Sequence, residues 1–199
     1  QDLIDKTDAV FGQVSYRLLQ DRLTLTAEAR RQWDERAAIT RTANPVTRQS
    51  GKFRSFTPRV TAEYKVTDEN LVYASAAKGV KAGGFNPTSV GQGIGLPPLA
   101  LLPNEQTFGD ESNWTYEIGS KNTFFDGRLL FNASLFYIDW KQMQVRSIPA
   151  HANASNPQAP TVIFHNLGNA RSKGFEIESA YALTDELNLN FSMAVQDPK

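Results

Sequence analysis

Hydrophobic and polar residues alternate with a period of two along most of this chain. That pattern predicts β-strands and leaves almost no helical periodicity. In Ala9–Leu18, Val10, Val14, Tyr16 and Leu18 share one face, and Gln13, Ser15 and Arg17 share the other. Its partner, Arg22–Trp33, sets Leu23, Leu25, Ala27 and Ala29 against Thr24, Thr26, Glu28 and Arg30. A second pair covers Phe53–Val66 and Leu71–Lys78, with Phe56, Val60, Ala62 and Tyr64 opposing Thr57, Arg59, Thr61, Glu63 and Lys65. A third covers Ser112–Phe124 and Arg128–Trp140, with Trp114, Tyr116, Ile118, Leu135 and Tyr137 on the apolar side. The fourth is Ser172–Leu183 with Leu187–Val195, where Phe175, Ile177 and Tyr181 oppose Glu176 and Glu178. The expectation is therefore all-β: about eight antiparallel strands in four hairpins.

A soluble β-sandwich alternates in the same way, so the choice of solvent rests on three further features. The strands run to about ten residues or more, against about 5–6 in ordinary domains, and about 9–11 tilted residues cross a bilayer. The connections alternate: short turns at Leu19–Asp21, Thr67–Asn70, Phe125–Gly127 and Thr184–Glu186, and long loops at Asp34–Lys52, Gly79–Glu111 and Lys141–Arg171. Short periplasmic turns with long extracellular loops are the topology of an outer-membrane barrel. Finally, Tyr16, Tyr64 and Tyr181 each stand on the apolar face shortly before an acidic turn. A tyrosine suits the lipid–water boundary, so these three predict part of an aromatic girdle.

Composition agrees with this picture. The chain has 40% hydrophobic residues and a negative mean hydropathy, as a barrel does when only alternate residues meet lipid. No stretch reaches the roughly 18 apolar residues of a membrane helix. Basic and acidic residues balance at 21 each, which argues against a nucleic-acid partner. Without cysteine there is no disulfide framework and no thiolate metal site.

Three runs carry a family resemblance. Asn166–Glu178, with Asn166, Gly168, Ala170, Gly174 and Glu176 at their spacing, resembles a strand motif of TonB-dependent outer-membrane receptors. Leu71–Asn86, ending Lys81-Ala82-Gly83-Gly84-Phe85-Asn86, and Glu111–Lys121, containing Glu117, Gly119 and Lys121, are similar to two more. Asp110 stands where the last pattern usually has proline. The three occur in the family's order with matching hairpins between them, and the resemblance covers about residues 8–195. It implies a barrel of about 22 strands around a plug, placed in the cell outer membrane. It further implies uptake of a ferric siderophore or another large scarce solute, driven by the TonB complex acting through the plug. On that basis residues 1–199 are expected to form part of a single barrel domain, with the plug and the closing strands absent. The alternative is a small closed outer-membrane barrel, of eight strands, acting as a binding or structural protein.

The motif residues Glu117, Gly119, Lys121, Asn166, Gly168, Ala170, Gly174 and Glu176 read as barrel architecture rather than substrate contacts. Their charged members fall on the lumen face, where water or a plug meets them, and a glycine there allows close approach of neighbouring groups. The basic residues Arg41, Arg48, Lys52, Lys78 and Lys81 are the candidate ligand-facing loop positions, because a cationic surface concentrates anionic chelates or lipopolysaccharide phosphates. Gly83-Gly84 and Gly91–Gly95 lack a phosphate loop's lysine and helix, and read as flexible loop. Leu96–Pro103 is an apolar segment within that loop. His151 and His165 do not make a metal site or a catalytic constellation, so neither an enzyme nor a cofactor is expected. The partners expected are outer-membrane lipid, the TonB complex and an iron-chelate-like solute.

Overall fold

The computed structural model describes residues 2–40, 46–86, 89–90, 99–148 and 162–199. In chain order the strands are β1 Asp2–Leu18, β2 Leu23–Thr40, β3 Thr47–Lys65, β4 Asn70–Lys81, β5 Gly84–Phe85, β6 Ser89–Val90 and β7 Leu99–Ala100. A 3-10 turn at Pro103–Glu105 precedes β8 Thr107–Phe108, β9 Glu111–Phe124, β10 Leu129–Lys141, β11 Gln144–Ser147, β12 Ile163–Asn166, β13 Asn169–Ala182 and β14 Asn188–Pro198. The eight long strands form one antiparallel sheet in the order β1-β2-β3-β4-β9-β10-β13-β14, while β5-β8, β6-β7 and β11-β12 pair separately. Each long strand lies beside the next long strand in the chain, which is the up-and-down meander the alternation predicts.

The first long loop expected from the sequence is not a loop over most of its length. The β2–β3 ladder continues unbroken from Asp34↔Phe53 to Thr40↔Thr47, and β1 begins at Asp2, well before Ala9. The reason is solvent. Beyond the bilayer neither face must be apolar, so the period-2 signal fades while the backbone ladder carries on. The other two long connections likewise hold local structure: β5 to β8 in one, β11 and β12 in the other.

The register separates two surfaces. One row crosses all eight strands as Tyr16, Leu25, Ala62, Ala74, Ile118, Leu135, Phe175 and Val195. The next row, on the other surface, is Arg17, Thr24, Glu63, Tyr73, Gly119, Ser134, Glu176 and Ala194. Among the described residues nothing covers the apolar surface: Ile118 is 58% exposed and Leu135 60%. A sandwich would bury such residues, and a soluble protein rarely leaves so large an apolar face bare. Lipid is the solvent that fits it.

This apolar band has physical edges. Val10–Leu18, Phe56–Tyr64 and Leu129–Tyr137 each give about nine residues without an outward charge, enough to cross a bilayer when tilted. Above the band the same face carries Asp8, Arg31, Arg54, Lys78, Asp139, Lys173 and Asp197. Among and beside these charges Trp114 stacks on Tyr116 at 6.0 Å and Tyr116 meets Tyr137 at 6.4 Å. At the short-turn end stand Tyr16, Tyr64 and Tyr181, the last against Phe125 at 6.3 Å. The sheet thus has an aromatic border at both boundaries, of which the tyrosine repeat had indicated only the lower.

A substitution pair tests the register. Leu135→Arg, on the lipid surface, is expected to lose about 2–4 kcal/mol and fail to assemble, whereas Ser134→Arg, one residue away on the opposite surface, should assemble normally. Heat-modifiable gel migration of the membrane fraction reads the outcome, and equal tolerance of both would overturn the assigned faces.

Candidate functional site

The surface opposite the lipid face has two features on which a function can rest: a polar wall and a structured mouth. On the wall, Tyr73 of β4 lies directly across from Gly119 of β9. A Cβ at Gly119 would stand 2.7 Å from the Tyr73 hydroxyl, so the glycine is what lets the ring lie flat on the sheet. The Tyr73 hydroxyl donates to Glu117 Oε1 at 2.5 Å, and the Lys121 ammonium stands 5.6 Å from the centre of the Tyr73 ring. With Ser134, Glu176 and Glu178 these groups line a hollow of about 150 Å³. Two strands further on the device repeats. Phe136 of β10 is directly opposite Gly174 of β13, where a Cβ would meet the Phe136 ring at 2.5 Å. An aromatic ring laid over a cross-strand glycine covers the backbone that the glycine leaves bare.

The mouth is built where the three motif runs end. Gly84–Phe85 pairs with Thr107–Phe108, and the segment folds over the upper lumen surface of β2 and β3. Arg36 Nη1 donates to the carbonyl of Gly83 at 2.7 Å, and Gln49 Nε2 donates to the carbonyl of Gln106 at 3.1 Å. Asn86 is 2% exposed. Its side-chain amide donates to the carbonyls of Glu105 at 2.8 Å and Phe164 at 2.5 Å, and its Oδ1 accepts from the Phe164 N–H at 2.9 Å. One asparagine therefore ties the β5–β8 connection to β12. Asn166 does the same for its own end, accepting from the Gly109 N–H at 2.6 Å and donating to the Gln142 carbonyl at 2.8 Å. Gly168 follows with φ +60°, a left-handed turn that favours glycine.

Glu111 is buried, and both of its oxygens are engaged: Oε1 accepts from the Trp140 indole at 2.9 Å and Oε2 from the Gln144 N–H at 2.5 Å. Asp110, the position that departs from the family pattern, accepts from the Gly83 N–H at 2.8 Å. A proline there would have no such acceptor. Gly83 and Gly84 are buried rather than flexible. A Cβ at Gly83 would strike the Phe108 carbonyl at 2.3 Å and one at Gly84 the Phe108 ring at 2.7 Å. This corrects the expectation of a flexible loop. The reason is tertiary: both glycines sit where β8 crosses them.

The rings at the mouth carry cations. Phe108 meets Phe164 at 5.4 Å and Arg146 stands over Phe164 at 5.6 Å. Phe53 meets Phe85 at 6.1 Å, and Arg36 stands over Phe53 at 5.7 Å. His165 hydrogen-bonds Ser147 Oγ through Nδ1 at 3.0 Å. Among the described residues no group of three or more His, Cys, Asp or Glu is placed to hold a metal ion.

The sequence candidates divide. Arg48 and Lys52 lie on β3 and Lys78 and Lys81 on β4, so they are strand residues rather than loop residues. Arg48, Lys52 and Lys78 belong to the outer face, and Lys52 is already bound to Glu35 at 2.7 Å. Lys81 alone of these four is on the lumen side, across from Glu111. Ala170 of β13 is across from Trp140 on that same side. Arg41, His151, Gly91–Gly95 and Leu96–Pro98 lie outside the described residues. Arg36 belongs to the basic first connection with Arg41, Arg48, Lys52 and Arg54, a cationic stretch suited to anionic ligands, and the structure puts it on the lumen face of β2. No motif in the sequence distinguishes Arg146.

Residues 2–198 match the family model described as TonB dependent receptor-like, beta-barrel. The chain belongs to this family. It is the wall of a TonB-dependent receptor barrel, in the cell outer membrane. Its relatives include the Metal-pseudopaline receptor CntO of Pseudomonas aeruginosa (strain UCBPP-PA14), 29% identical over 136 residues, which are 68% of this chain and 16% of that protein. The Ferripyoverdine receptor of P. aeruginosa PAO1 is 30% identical over 144 residues, covering 68% of this chain and 14% of the relative. In fold, the chain is similar to the crystal structure of the ferric yersiniabactin uptake receptor FyuA from Yersinia pestis, with a TM-score of 0.75 at 19% identity. That match covers 99% of this chain and 27% of FyuA. The segment thus spans between 14% and 27% of the length of each of these receptors.

Asn86 makes a direct test of the mouth. Asn86→Leu keeps the volume but leaves two part-buried carbonyls and one N–H without their Asn86 partner, each costing up to about 1–3 kcal/mol. The barrel should still assemble, while limited proteolysis on intact cells should cut the 82–110 connection much faster than in the parent protein. Unchanged cutting would show that this clamp does not hold the mouth.

Proposed function

We propose that the protein carrying this chain is an active-transport receptor that takes up a ferric siderophore or another large scarce solute, powered by the TonB complex through a plug region. The observation that carries this reading is that the described parts of the 82–110 connection are hooked onto the lumen surface by Arg36 and Gln49 and tied to β12 by Asn86. Segments anchored over the lumen face are suited to capture at a pore, whereas loops splayed outward would suit adhesion. Family membership supports transport over catalysis, and the relatives whose names refer to ferripyoverdine and metal-pseudopaline support a metal chelate as cargo.

Within this reading the ligand-facing cations are Arg36, Lys81 and Arg146, with Arg41 retained as a candidate. Arginine over an aromatic ring presents a flat, polarised surface for anionic and conjugated groups. The wall residues Tyr73, Glu117, Lys121 and Glu176 would line the solute's path or the plug's seat below.

Orientation is checked first. The chain has no cysteine, so Asn104→Cys, in the 3-10 turn, and Asp185→Cys, in a short turn, can be labelled one at a time. A membrane-impermeant maleimide on intact cells should mark Asn104→Cys and leave Asp185→Cys unmarked, and the reverse would invert the topology.

Transport is checked in an iron-restricted strain lacking the gene. Returning the full-length gene should restore uptake of a radiolabelled ferric chelate, and loss of TonB should abolish it. The Arg36→Ala, Lys81→Ala double variant should raise the half-saturating chelate concentration about tenfold, as expected for loss of one to two charge-assisted contacts. Uptake that is indifferent to the gene or to TonB would overturn the proposal.

A further inference from the structure

The β11–β12 hairpin does not simply continue the sheet below it. The β10–β13 ladder ends at Lys141↔Asn169, and strand pairing resumes at Gln144↔Asn166. In the gap Gln142 has φ +53° and Gly168 φ +60°. A left-handed residue on each chain breaks the pleat at this point. The direction of the hairpin therefore has to be held by contacts beyond the break.

Gln144 supplies them. Its backbone N–H donates to Glu111 Oε2 at 2.5 Å. Its side-chain amide is shared among three carbonyls, those of Ala82 and Gly109 at 3.0 Å each and that of Lys81 at 3.3 Å. These carbonyls lie at the two ends of the connection between β4 and β9. The Ala82 carbonyl has a second donor: Arg36 Nη1 reaches it at 3.3 Å, as it reaches the neighbouring Gly83 carbonyl at 2.7 Å. Arg36 and Gln144 thus meet at one backbone carbonyl. Arg146 lies two residues along β11 from Gln144, on the same face of the strand. Its guanidinium stands 5.6 Å from the centre of the Phe164 ring directly across, and Phe164 is held in both directions by Asn86. A series of contacts therefore runs from Arg36 through the Ala82 carbonyl and Gln144 to Arg146.

We propose that Gln144 is a positioning residue for solute capture: by tying β11 to the peptide that Arg36 also holds, it sets the spacing of the Arg36 and Arg146 guanidiniums, so that both engage one multiply charged anion. The inference rests on the reading that these two cations face the solute. Two arginines on separately mobile segments would each have to be ordered when the anion binds, and that ordering weakens binding. With Gln144 in place the ordering is done in advance.

The test uses the full-length receptor in detergent and two probes, the iron(III) tris-catecholate complex, which is trianionic, and an iron(III) tris-hydroxamate complex, which is neutral. Binding is followed by quenching of tryptophan fluorescence. Arg146→Ala should weaken tris-catecholate binding about tenfold, as for loss of one charge-assisted contact. Gln144→Met, which keeps the length of the side chain and removes its donors, should weaken it by a similar factor. The decisive variant carries both changes. Because Gln144 acts through Arg146, the double variant should bind about as well as Arg146→Ala alone. A multiplied loss of about a hundredfold would mean two independent effects and would overturn the proposal. Gln144→Asn, which keeps an amide, should recover part of the loss, and it takes the place of Gln144→Met in the same cycle if that variant does not assemble.

If neither Arg36→Ala nor Arg146→Ala alters binding, or the neutral complex binds as tightly as the trianionic one, the reading that these cations meet the solute fails instead. Positioning is read separately, with no solute present. Spin labels at Ser50→Cys, exposed on β3, and Ile148→Cys, exposed beside β11, in a background free of other cysteines, should give one narrow distance in the parent and a broad distribution in Gln144→Met. An unchanged distribution would sink the positioning role whatever the binding data.

Discussion

Everything in this chain follows from one constraint: in hydrocarbon, each backbone N–H and C=O must find its partner within the protein. The ladder that results runs without interruption through eight strands, and it dictates which side chains share a face. Because the side-chain period is two, the row Tyr16, Leu25, Ala62, Ala74, Ile118, Leu135, Phe175 and Val195 is apolar across the whole sheet. A slip of one residue anywhere would put Glu63, Glu117 or Glu176 into lipid. The same constraint acts on the edge strands β1 and β14, whose outward backbone groups need neighbours of their own in a membrane.

The surface away from lipid solves a different problem. It is polar, and it must offer chemistry without leaving its backbone open. Glycine gives an aromatic ring room to lie on the sheet at Tyr73 over Gly119 and at Phe136 over Gly174. The ring then shields the ladder, and in the first pair it also orients the hydroxyl toward Glu117. A motif glycine and the aromatic residue opposite it are one structural unit, although they are far apart in the chain.

At the mouth, the connections between strands are anchored by side-chain amides that substitute for a ladder. Asn86 and Asn166 each bond backbone groups on segments that no strand pairing joins. An amide offers both donors and an acceptor, so a single residue can hold two chains in both directions. Arg36 adds a strut from the sheet to Gly83. The result is a surface of arginine-capped rings above a polar wall.

Strand identity, facing and the lipid band were readable in the amino-acid sequence, because lipid on one side and water on the other write themselves into a period of two. Leu135 and Ser134 fall on the faces their alternation predicts, and Tyr16, Tyr64 and Tyr181 stand at one boundary. The sequence lost the thread at residues 34–40 and 47–52, where both faces meet water or loop and the ladder continues unmarked. It also assigned Gly83 and Gly84 to flexible loop and grouped Arg48, Lys52 and Lys78 with ligand-facing loops. Only the tertiary structure shows β8 crossing the glycines and the three cations turned toward the outside of the wall. The reason is general to this architecture: alternation is a local signal of solvent, while a contact such as Asn86 with Phe164 joins residues far apart in sequence and leaves no periodic trace.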